Sequence, residues 1–197
     1  MLLKKKLVLA SGSPRRQHLL RQIGWPFEVR ESGIDEGSES AGDPIRHVSG
    51  LSERKAQAVG ESFKNAIIIG ADTIVRIDGG ILGKPADRAD ATRMLRMLGG
   101  RTHEVYTGVT LIDRPSGRRA TAVEVTRVTF RPLEEDEIRD YVSSGSPMDK
   151  AGAYGIQDDM GAVFVERIDG CFYNVVGLPL SRLYVTLREF QKHLDSD

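Results

Sequence analysis

Apolar and polar positions alternate along the chain in a way that divides it into short strands and amphipathic helices. Apolar runs of strand length recur between segments in which apolar residues return every three or four positions, the spacing of one helix face. The pattern predicts strands at 6–10, 27–31, 66–77, 81–84, 103–112, 119–130, 161–168 and 172–176, and helices at 14–23, 44–63, 88–98, 134–143 and 179–194. Helices mixed with crossovers and hairpins predict an α/β fold, with a mixed sheet and flanking helices.

One of the apolar runs contains a carboxylate. Asp72 interrupts the predicted strand 66–77, and a carboxylate in such a run is costly to bury unless it is paired, hydrogen-bonded or bound to a metal. After a turn at 78–80 the chain returns as a second strand, which predicts a hairpin. If Ile77 pairs with Ile81, Asp72 and Lys84 are diagonal neighbours on one face of the sheet. The two residues then form either a structural ion pair or part of a site that handles anions.

Hydroxyl groups and arginines cluster between the first predicted strand and the first predicted helix. Ser11 and Ser13 precede Pro14, which suits the first helical position, and Arg15 and Arg16 follow in the first turn. Two arginines at this end oppose the helix macrodipole, which favours negative charge there. A bound polyanion would explain them, because hydroxyls, free backbone N–H groups and guanidinium groups would converge on it. The alternative is a solvated basic turn.

Further charged positions extend the candidate site. Lys55 falls in the middle of the apolar face of the second predicted helix, so it either snorkels to the edge or reaches into a cleft and holds a phosphate. Asp35 and Glu36 follow the second predicted strand. Two carboxylates, Glu36 and Asp72, would form an octahedral Mg²⁺ site together with phosphate oxygens and water. Asp72 could instead activate water as a general base.

Composition and charge narrow the classes of function. The 28 Lys and Arg residues balance the 28 Asp and Glu residues, so no overall field favours nucleic acid or a membrane. The single Cys171 excludes an internal disulfide and a cysteine-based zinc site, and it is typical of a reducing compartment. The apolar stretch near the N-terminus is too short for a signal peptide or a membrane span. We therefore expect one soluble, cytoplasmic domain over residues 1–197, with neither nucleic acid nor a membrane as partner.

Six short motifs together resemble the Maf family. They are Ser-Gly-Ser-Pro-Arg-Arg at 11–16, Ser-Glu-Arg-Lys-Ala at 52–56, Gly-Ala-Asp-Thr at 70–73, Gly-Lys-Pro at 83–85, Asp-Lys-Ala-Gly-Ala-Tyr-Gly-Ile-Gln at 149–157 and Val-Gly-Leu-Pro-Leu at 176–180. They follow the family's order and span nearly the whole chain. The resemblance implies a nucleoside triphosphate pyrophosphatase that cuts between the α- and β-phosphates with a divalent metal, Mg²⁺ or Mn²⁺. It also implies a Maf/ITPase-like fold of two lobes around a central cleft, and often a homodimer.

The resemblance extends to the substrate. The branch of the family that acts on dTTP and UTP carries Ala-Asp-Thr and Ala-Tyr-Gly-Ile-Gln in these places, as this chain does, whereas the branch that acts on 7-methyl-GTP tends to have Ser-Asp-Gln and lacks the glutamine. On this similarity Thr73 and Gln157 would help to read the pyrimidine, together with Arg15 or Arg16. An amide and a hydroxyl can complement the two carbonyls and one N–H of thymine or uracil.

The expected mechanism gives each candidate residue a role. Four residues are catalytic candidates: Asp72, Lys84, Lys55 and Glu36. Six residues bind the substrate: Ser11, Ser13, Arg15, Arg16, Thr73 and Gln157. Glu36 and Asp72 place the metal or the water that attacks the α-phosphorus as pyrophosphate leaves. The alternatives are a 7-methyl-GTP pyrophosphatase, a nucleotide-binding regulator of cell division without relevant turnover, and a structural protein with a buried Asp72–Lys84 ion pair.

Overall fold

A single twisted sheet organises the chain, and a computed structural model describes residues 5–34, 42–157 and 160–195. Its strands are β1 (Leu7–Leu9), β2 (Phe27–Val29), β3 (Ala66–Ile77), β4 (Gly80–Leu82), β5 (Thr102–Arg114), β6 (Arg119–Phe130) and β7 (Val165–Asp169). The helices are α1 (Pro14–Gln22), α2 (Pro44–Gly60), α3 (Arg88–Leu98), α4 (Glu135–Ser143), α5 (Gly161–Phe164), α6 (Phe172–Val176) and α7 (Leu180–Asp195). Two 3₁₀ turns, Ser146–Asp149 and Ala151–Ala153, lie between α4 and α5.

The strands pair in both directions. The order is β2-β1-β3-β5-β6-β7, and β4 pairs with β3 outside this path. β1 runs parallel to β2 and β3, whereas the other pairs are antiparallel. The predicted α/β class with a mixed sheet and flanking helices is therefore confirmed.

Strand β3 has an interrupted edge. On one side it pairs with β5 from Ala66 to Arg76. On the other side it pairs with β1 through 67–69 and with β4 through 75–77. Residues 70–74 therefore face the gap between the ends of β1 and β4. Successive side chains of a strand point to opposite faces. At this interruption, Asp72 and Thr73 therefore reach one opening from opposite faces of the sheet.

Helix α2 covers one face of the sheet at close range. A Cβ atom added at Gly70 would clash with the carbonyl oxygen of Ser52, and one added at Gly108 would clash with the carbonyl oxygen of Val48. Only glycine leaves room for the helix backbone at these two points. Gly70 and Gly108 belong to the same face as Asp72, which pairs with Gly108 across β3 and β5. This close approach brings the inner side of α2 over Asp72.

The main hydrophobic core lies on the other face of the sheet. Helices α1, α3, α4 and α7 contribute buried side chains to it, among them Leu20, Leu95, Tyr141 and Leu187. Burial of such side chains contributes roughly 1.5–3 kcal/mol each relative to exposure. The core fixes the start of α1 beside the interrupted edge of β3.

The hairpin between β3 and β4 is confirmed, but its predicted register is wrong. Ile77 pairs with Gly80 rather than with Ile81, because the turn has only two residues. Asp78 and Gly79 both have positive φ, of 52° and 78°. This is the geometry of the tight turns that match strand twist, and Gly tolerates it without cost. The shorter loop ends β4 at Leu82 and leaves Lys84 beyond the strand.

Two predicted strands near the C-terminus are wrong in whole or in part. Residues 172–176 form the helical turn α6, because the buried Asn174 donates to the Val105 carbonyl and to Thr126 Oγ1. Gly177, at φ 119°, closes that turn by donating to the Tyr173 carbonyl. The predicted strand 161–168 begins instead with the short helix α5, and the strand occupies only Val165–Asp169.

Candidate active site

A cavity of about 790 Å³ opens at the interrupted edge of β3. Its walls come from the loop after β1, from α2, from the middle of β3, from the chain after β4 and from the segment 149–157. Nine of the predicted site residues line it: Ser11, Ser13, Arg15, Arg16, Lys55, Asp72, Thr73, Lys84 and Gln157. Glu36 and its neighbour Asp35 lie outside the described residues. The fold thus brings together positions spread over most of the chain, and the central cleft is present.

Asp72 and Lys55 form a buried ion pair in the wall of the cavity. Lys55 Nζ lies 2.7 Å from Asp72 Oδ1, and each residue is only 5% exposed. Of the two alternatives for Asp72 and Lys84, the structural ion pair is not formed, because β4 ends before Lys84 while α2 packs directly over Asp72. Among the described residues, the other carboxylate oxygen, Asp72 Oδ2, is buried and has no hydrogen-bond partner. Such an atom is costly unless it receives a donor or a cation.

Lys84 is exposed and lines the same cavity. Its position is fixed by its neighbour, because the Gly83 carbonyl accepts a 3.0 Å hydrogen bond from the Gly152 N–H. The chain after the β3–β4 hairpin is thereby tied to the segment 149–157. A long flexible side chain at this place can bring a positive charge to a ligand in the cavity.

Helix α1 begins at the cavity as the sequence predicted. The Ser13 side chain caps the helix by accepting from the Arg16 N–H, and Pro14 occupies the first turn. The Arg16 guanidinium donates to the Gly177 carbonyl (2.8 Å), to Ser11 Oγ (3.2 Å) and to Thr73 Oγ1 (3.0 Å). Arg16 is therefore held in one orientation against the cavity wall.

Arg15 lies against the segment 149–157. It donates to the Asp149 carboxylate (2.7 Å) and to the Asp149 carbonyl (3.0 Å). Lys150 is buried and donates to the other oxygen of the same carboxylate, at 2.8 Å, and to the Ser146 carbonyl. Partial burial alone would raise the pKa of Asp149, but the hydrogen bonds from Lys150 and Arg15 outweigh it and hold that pKa below its usual value. Asp149 thus remains an anion between two cations.

Sequence reasoning gave Asp149 and Lys150 no role in the site. Both line the cavity and both belong to a motif that carried the family resemblance. The signal that could have found them is a pair of charged residues inside the predicted irregular stretch 144–160. Long irregular segments of this kind often carry functional residues.

The far wall of the cavity is neutral. Tyr154 is buried there, and burial raises the pKa of its hydroxyl. Its oxygen lies 2.8 Å from His103 Nε2, and burial lowers the pKa of His103 to about 4. Gln157 is exposed at the rim of this wall. Positive groups lie elsewhere around the cavity: Arg15 and Arg16 at the start of α1, Lys55 on α2, Lys84 after β4, and Lys150 near the start of the segment 149–157.

The donor set of the cavity suits an anion better than a metal held by protein ligands alone. Within 5–34, 42–157 and 160–195, no group of three or more His, Cys, Asp or Glu side chains is arranged to hold a metal ion. The same residues include no helix with the length and hydrophobicity needed to span a membrane. What the cavity offers is a buried carboxylate beside several positive charges.

Comparison with known proteins identifies one family and several similar proteins. The family model described as "Maf-like protein" matches residues 6–190. A protein of Salinibacter ruber named dTTP/UTP pyrophosphatase is 54% identical over 182 residues, which cover 92% of this chain and 89% of that protein. One of the same name from Carboxydothermus hydrogenoformans is 50% identical over 185 residues, covering 94% and 98%. The solved Staphylococcus aureus Ham1 protein aligns with a TM-score of 0.40 and 18% identity over 64% of this chain and 72% of its own.

Proposed function

The chain belongs to the Maf-like protein family, and on that premise we propose that it hydrolyses dTTP and UTP to the nucleoside monophosphate and pyrophosphate. Support for the substrate comes from relatives that share about half of its residues over nearly the full length and are named dTTP/UTP pyrophosphatases. Support for the chemistry comes from the cavity, because it contains a carboxylate that can accept a proton and Arg and Lys side chains that can bind a triphosphate.

One observation carries the proposed chemistry, namely the two unlike oxygens of Asp72. Oδ1 is neutralised by Lys55 at 2.7 Å, whereas Oδ2 is buried without a hydrogen-bond partner among the described residues. A water molecule that entered the wall of the cavity beside Oδ2 would donate to this oxygen and be oriented by it. Lys55 keeps the carboxylate in place by a charge-assisted hydrogen bond.

The proposed reaction is an in-line displacement at the α-phosphorus. The water oxygen forms a bond to that phosphorus, and Asp72 Oδ2 takes the proton that the water loses. The bond from the α-phosphorus to the oxygen bridging to the β-phosphate breaks, and pyrophosphate leaves with the electron pair. Arg15, Arg16 and Lys84 would bind the phosphate oxygens and neutralise their negative charge in the substrate as well as in the transition state. Ser11, Ser13 and the start of α1 would assist with neutral donors.

A divalent cation, Mg²⁺ or Mn²⁺, fits this proposal. Asp72 Oδ2 is a carboxylate oxygen in need of a partner, and phosphate oxygens and water are the other ligands that such ions prefer. Glu36 would supply a second carboxylate, from outside the described residues. When bound, the cation would neutralise charge on the phosphate oxygens. Asp72 could then serve as ligand, as base, or as both in turn.

Gln157 is the better placed of the two residues expected to read the base. Its amide is exposed at the rim of the cavity and can both donate to a carbonyl and accept from an N–H. The Thr73 hydroxyl already bonds Arg16 Nη2 and Thr107 Oγ1. We therefore propose that Gln157 recognises the pyrimidine and that Thr73 contributes mainly through its neighbours.

The proposal also includes a cytoplasmic location and a homodimer. Nucleotide substrates and reducing conditions suited to the free Cys171 both occur in the cytoplasm. Light scattering after size-exclusion chromatography tests the dimer, which should have about twice the mass of the 21.7 kDa chain.

Pyrophosphate release from a panel of nucleotides tests the function. The panel contains dTTP, UTP, CTP and 7-methyl-GTP, each with Mg²⁺ or Mn²⁺. We expect turnover of dTTP and UTP in the wild type and its loss in Asp72→Asn. The matched control is Asp113→Asn, because Asp113 is also buried and paired with a lysine, Lys5 at 2.6 Å, but does not line the cavity.

The other outcomes assign other functions. Turnover of 7-methyl-GTP alone would support the pyrophosphatase activity but replace dTTP and UTP as the assigned substrates. Nucleotide binding without any turnover would favour a nucleotide-binding regulator. Wild-type-like turnover in Asp72→Asn would overturn the role of that carboxylate.

A further inference from the structure

A closed ring of hydrogen bonds begins and ends at Arg16. From Nη2 it runs to the Thr73 hydroxyl and on to the Thr107 hydroxyl, with oxygen–oxygen distance 2.9 Å. From Thr107 it continues to the Asn174 carbonyl at 3.1 Å. The Asn174 carbonyl also accepts from the Gly177 N–H, and the Gly177 carbonyl accepts from Arg16 Nε at 2.8 Å.

The directions of these bonds are fixed by the groups themselves. A carbonyl can only accept, so the single hydrogen of the Thr107 hydroxyl points to the Asn174 carbonyl. The Thr73 hydroxyl then donates to Thr107 Oγ1 at 2.9 Å, with the Gly177 carbonyl as a longer second acceptor at 3.5 Å, and Thr73 Oγ1 accepts from the Arg16 guanidinium. The Gly177 N–H is shared between the Asn174 and Tyr173 carbonyls. Hydrogen bonds in such chains polarise one another.

Thr107 is the junction of the ring. It lies on β5, is fully buried and is not part of the cavity lining. One of its partners, Thr73, accepts from Nη2 of Arg16. The other, the Asn174 carbonyl, accepts from the N–H of Gly177, the residue whose own carbonyl accepts from Arg16 Nε. Removal of the Thr107 hydroxyl would therefore loosen the support of Arg16 at two of its donor nitrogens, Nη2 and Nε.

We propose that Thr107 is a positioning residue that fixes the Arg16 guanidinium for nucleotide binding, and this inference rests on the proposed function. A guanidinium held in one orientation before the ligand arrives loses less conformational freedom on binding. The ring supplies this order from behind the cavity wall, without contact with the ligand. Thr73 is then a link in the ring, and its hydroxyl has no hydrogen left to donate to a base carbonyl.

Steady-state kinetics with dTTP test the role of Thr107. The isosteric Thr107→Val variant should raise KM about three- to tenfold, the cost of ordering one long side chain on binding, with kcat within about twofold. Thr107→Ser, which keeps the hydroxyl, should restore KM to within about twofold of the wild type. Thr110→Val is the matched control, because Thr110 is equally buried on the same strand but bonds Ser52 and Thr121, which lie outside the cavity lining.

A double-mutant cycle separates positioning from a general structural effect. If Thr107 acts through Arg16, Thr107→Val should leave KM unchanged in an Arg16→Ala background. A simple structural loss would instead multiply KM by the same factor in both backgrounds, and that result would overturn the proposal. Equal KM values for Thr107→Val and Thr110→Val would overturn it as well. If Thr107→Val does not fold, Thr73→Val in both backgrounds makes the same test, because it breaks the same ring.

Binding of a non-hydrolysable α,β-methylene dTTP analogue, measured by calorimetry, distinguishes failure of this inference from failure of the proposed function. Absence of pyrophosphate release from the wild type would overturn the proposed function alone, provided that the analogue binds. The analogue would then still report whether Thr107→Val weakens binding three- to tenfold and whether Thr110→Val leaves it unchanged. Failure of the wild type to bind the analogue would overturn both.

Discussion

Replacement of Lys55 by methionine should lower both the stability of the protein and its activity. Methionine matches the length of the lysine stem but removes the charge, so Asp72 would be left as a buried carboxylate without its cation. The pair lies 2.7 Å apart with both side chains less than one tenth exposed. Loss of Lys55 should therefore destabilise the fold as well as stop hydrolysis.

The magnitude follows from the geometry of the pair. At 2.7 Å and an effective dielectric constant of about 20, the attraction between the two charges is roughly 6 kcal/mol. Desolvation of both groups offsets most of this attraction in the intact protein. Removal of only one partner leaves that cost uncompensated, and buried pairs broken in this way lose about 3–5 kcal/mol. We expect Lys55→Met to lower the free energy of unfolding by this amount.

Urea unfolding followed by circular dichroism measures the change, and Lys84→Met is the matched control. Lys84 lines the same cavity but is exposed, and no salt bridge holds it to another described residue. Its replacement should change the free energy of unfolding by less than about 0.5 kcal/mol while it lowers pyrophosphate release. The double variant Lys55→Met with Asp72→Asn should recover most of the lost stability and none of the activity, because no charge is left unpaired. Equal unfolding midpoints for Lys55→Met and Lys84→Met would refute the reasoning.

Three further predictions follow from other features. Gly70→Ala should destabilise the protein by about 1–3 kcal/mol because its Cβ meets the α2 backbone. Gly50→Ala should stabilise it by about 0.5–1 kcal/mol in the same urea assay, because its Cβ meets no atom of the described residues within 4 Å. Burial lowers the pKa of His103 from 6.5 in the unfolded chain to about 4 in the folded protein. As the pH falls, the unfolded chain therefore takes up the proton at a higher pH than the folded protein does. The free energy of unfolding should fall by about 2.5 kcal/mol between pH 7 and pH 4.5. His103→Gln should flatten that part of the pH profile, and an unchanged profile would contradict the prediction. EDTA should abolish pyrophosphate release until Mg²⁺ or Mn²⁺ is added back, and full turnover in EDTA would exclude the metal.

The sequence predicted the elements well where the hydrophobic period was long. The strand 66–77, the helix 88–98 and the strand 119–130 occur with the predicted bounds, because each has enough apolar positions to define one face. The segment 172–176 failed because its aromatic and β-branched residues favour a strand locally. The buried hydrogen bonds of Asn174 override that preference, and they depend on strands more than forty residues away.

The residues that line the cavity were predicted better than their hydrogen-bond partners. The resemblance and the charge pattern identified the residues that gather in the cavity, but the lysine that pairs with Asp72 was misassigned. That pairing depends on two features that a single sequence does not reveal. One is the choice between alternative two- and three-residue turns at 78–80, and the other is the close approach of α2 that Gly70 and Gly108 permit.

The unbroken course of β3 bears on how the protein can close around a ligand. The strand pairs with β5 along almost its whole length, and it carries the residues of the cavity at its midpoint. A hinge that rotated one half of the molecule against the other would have to break this ladder at its centre. Closure is therefore expected to be local, through rotation of long side chains such as Lys84 and displacement of the segment 149–157, while Asp72 stays still. Because Asp72 stays fixed while the surrounding side chains and loop move, product can be exchanged for substrate without a change in the position of the reacting carboxylate at each turnover.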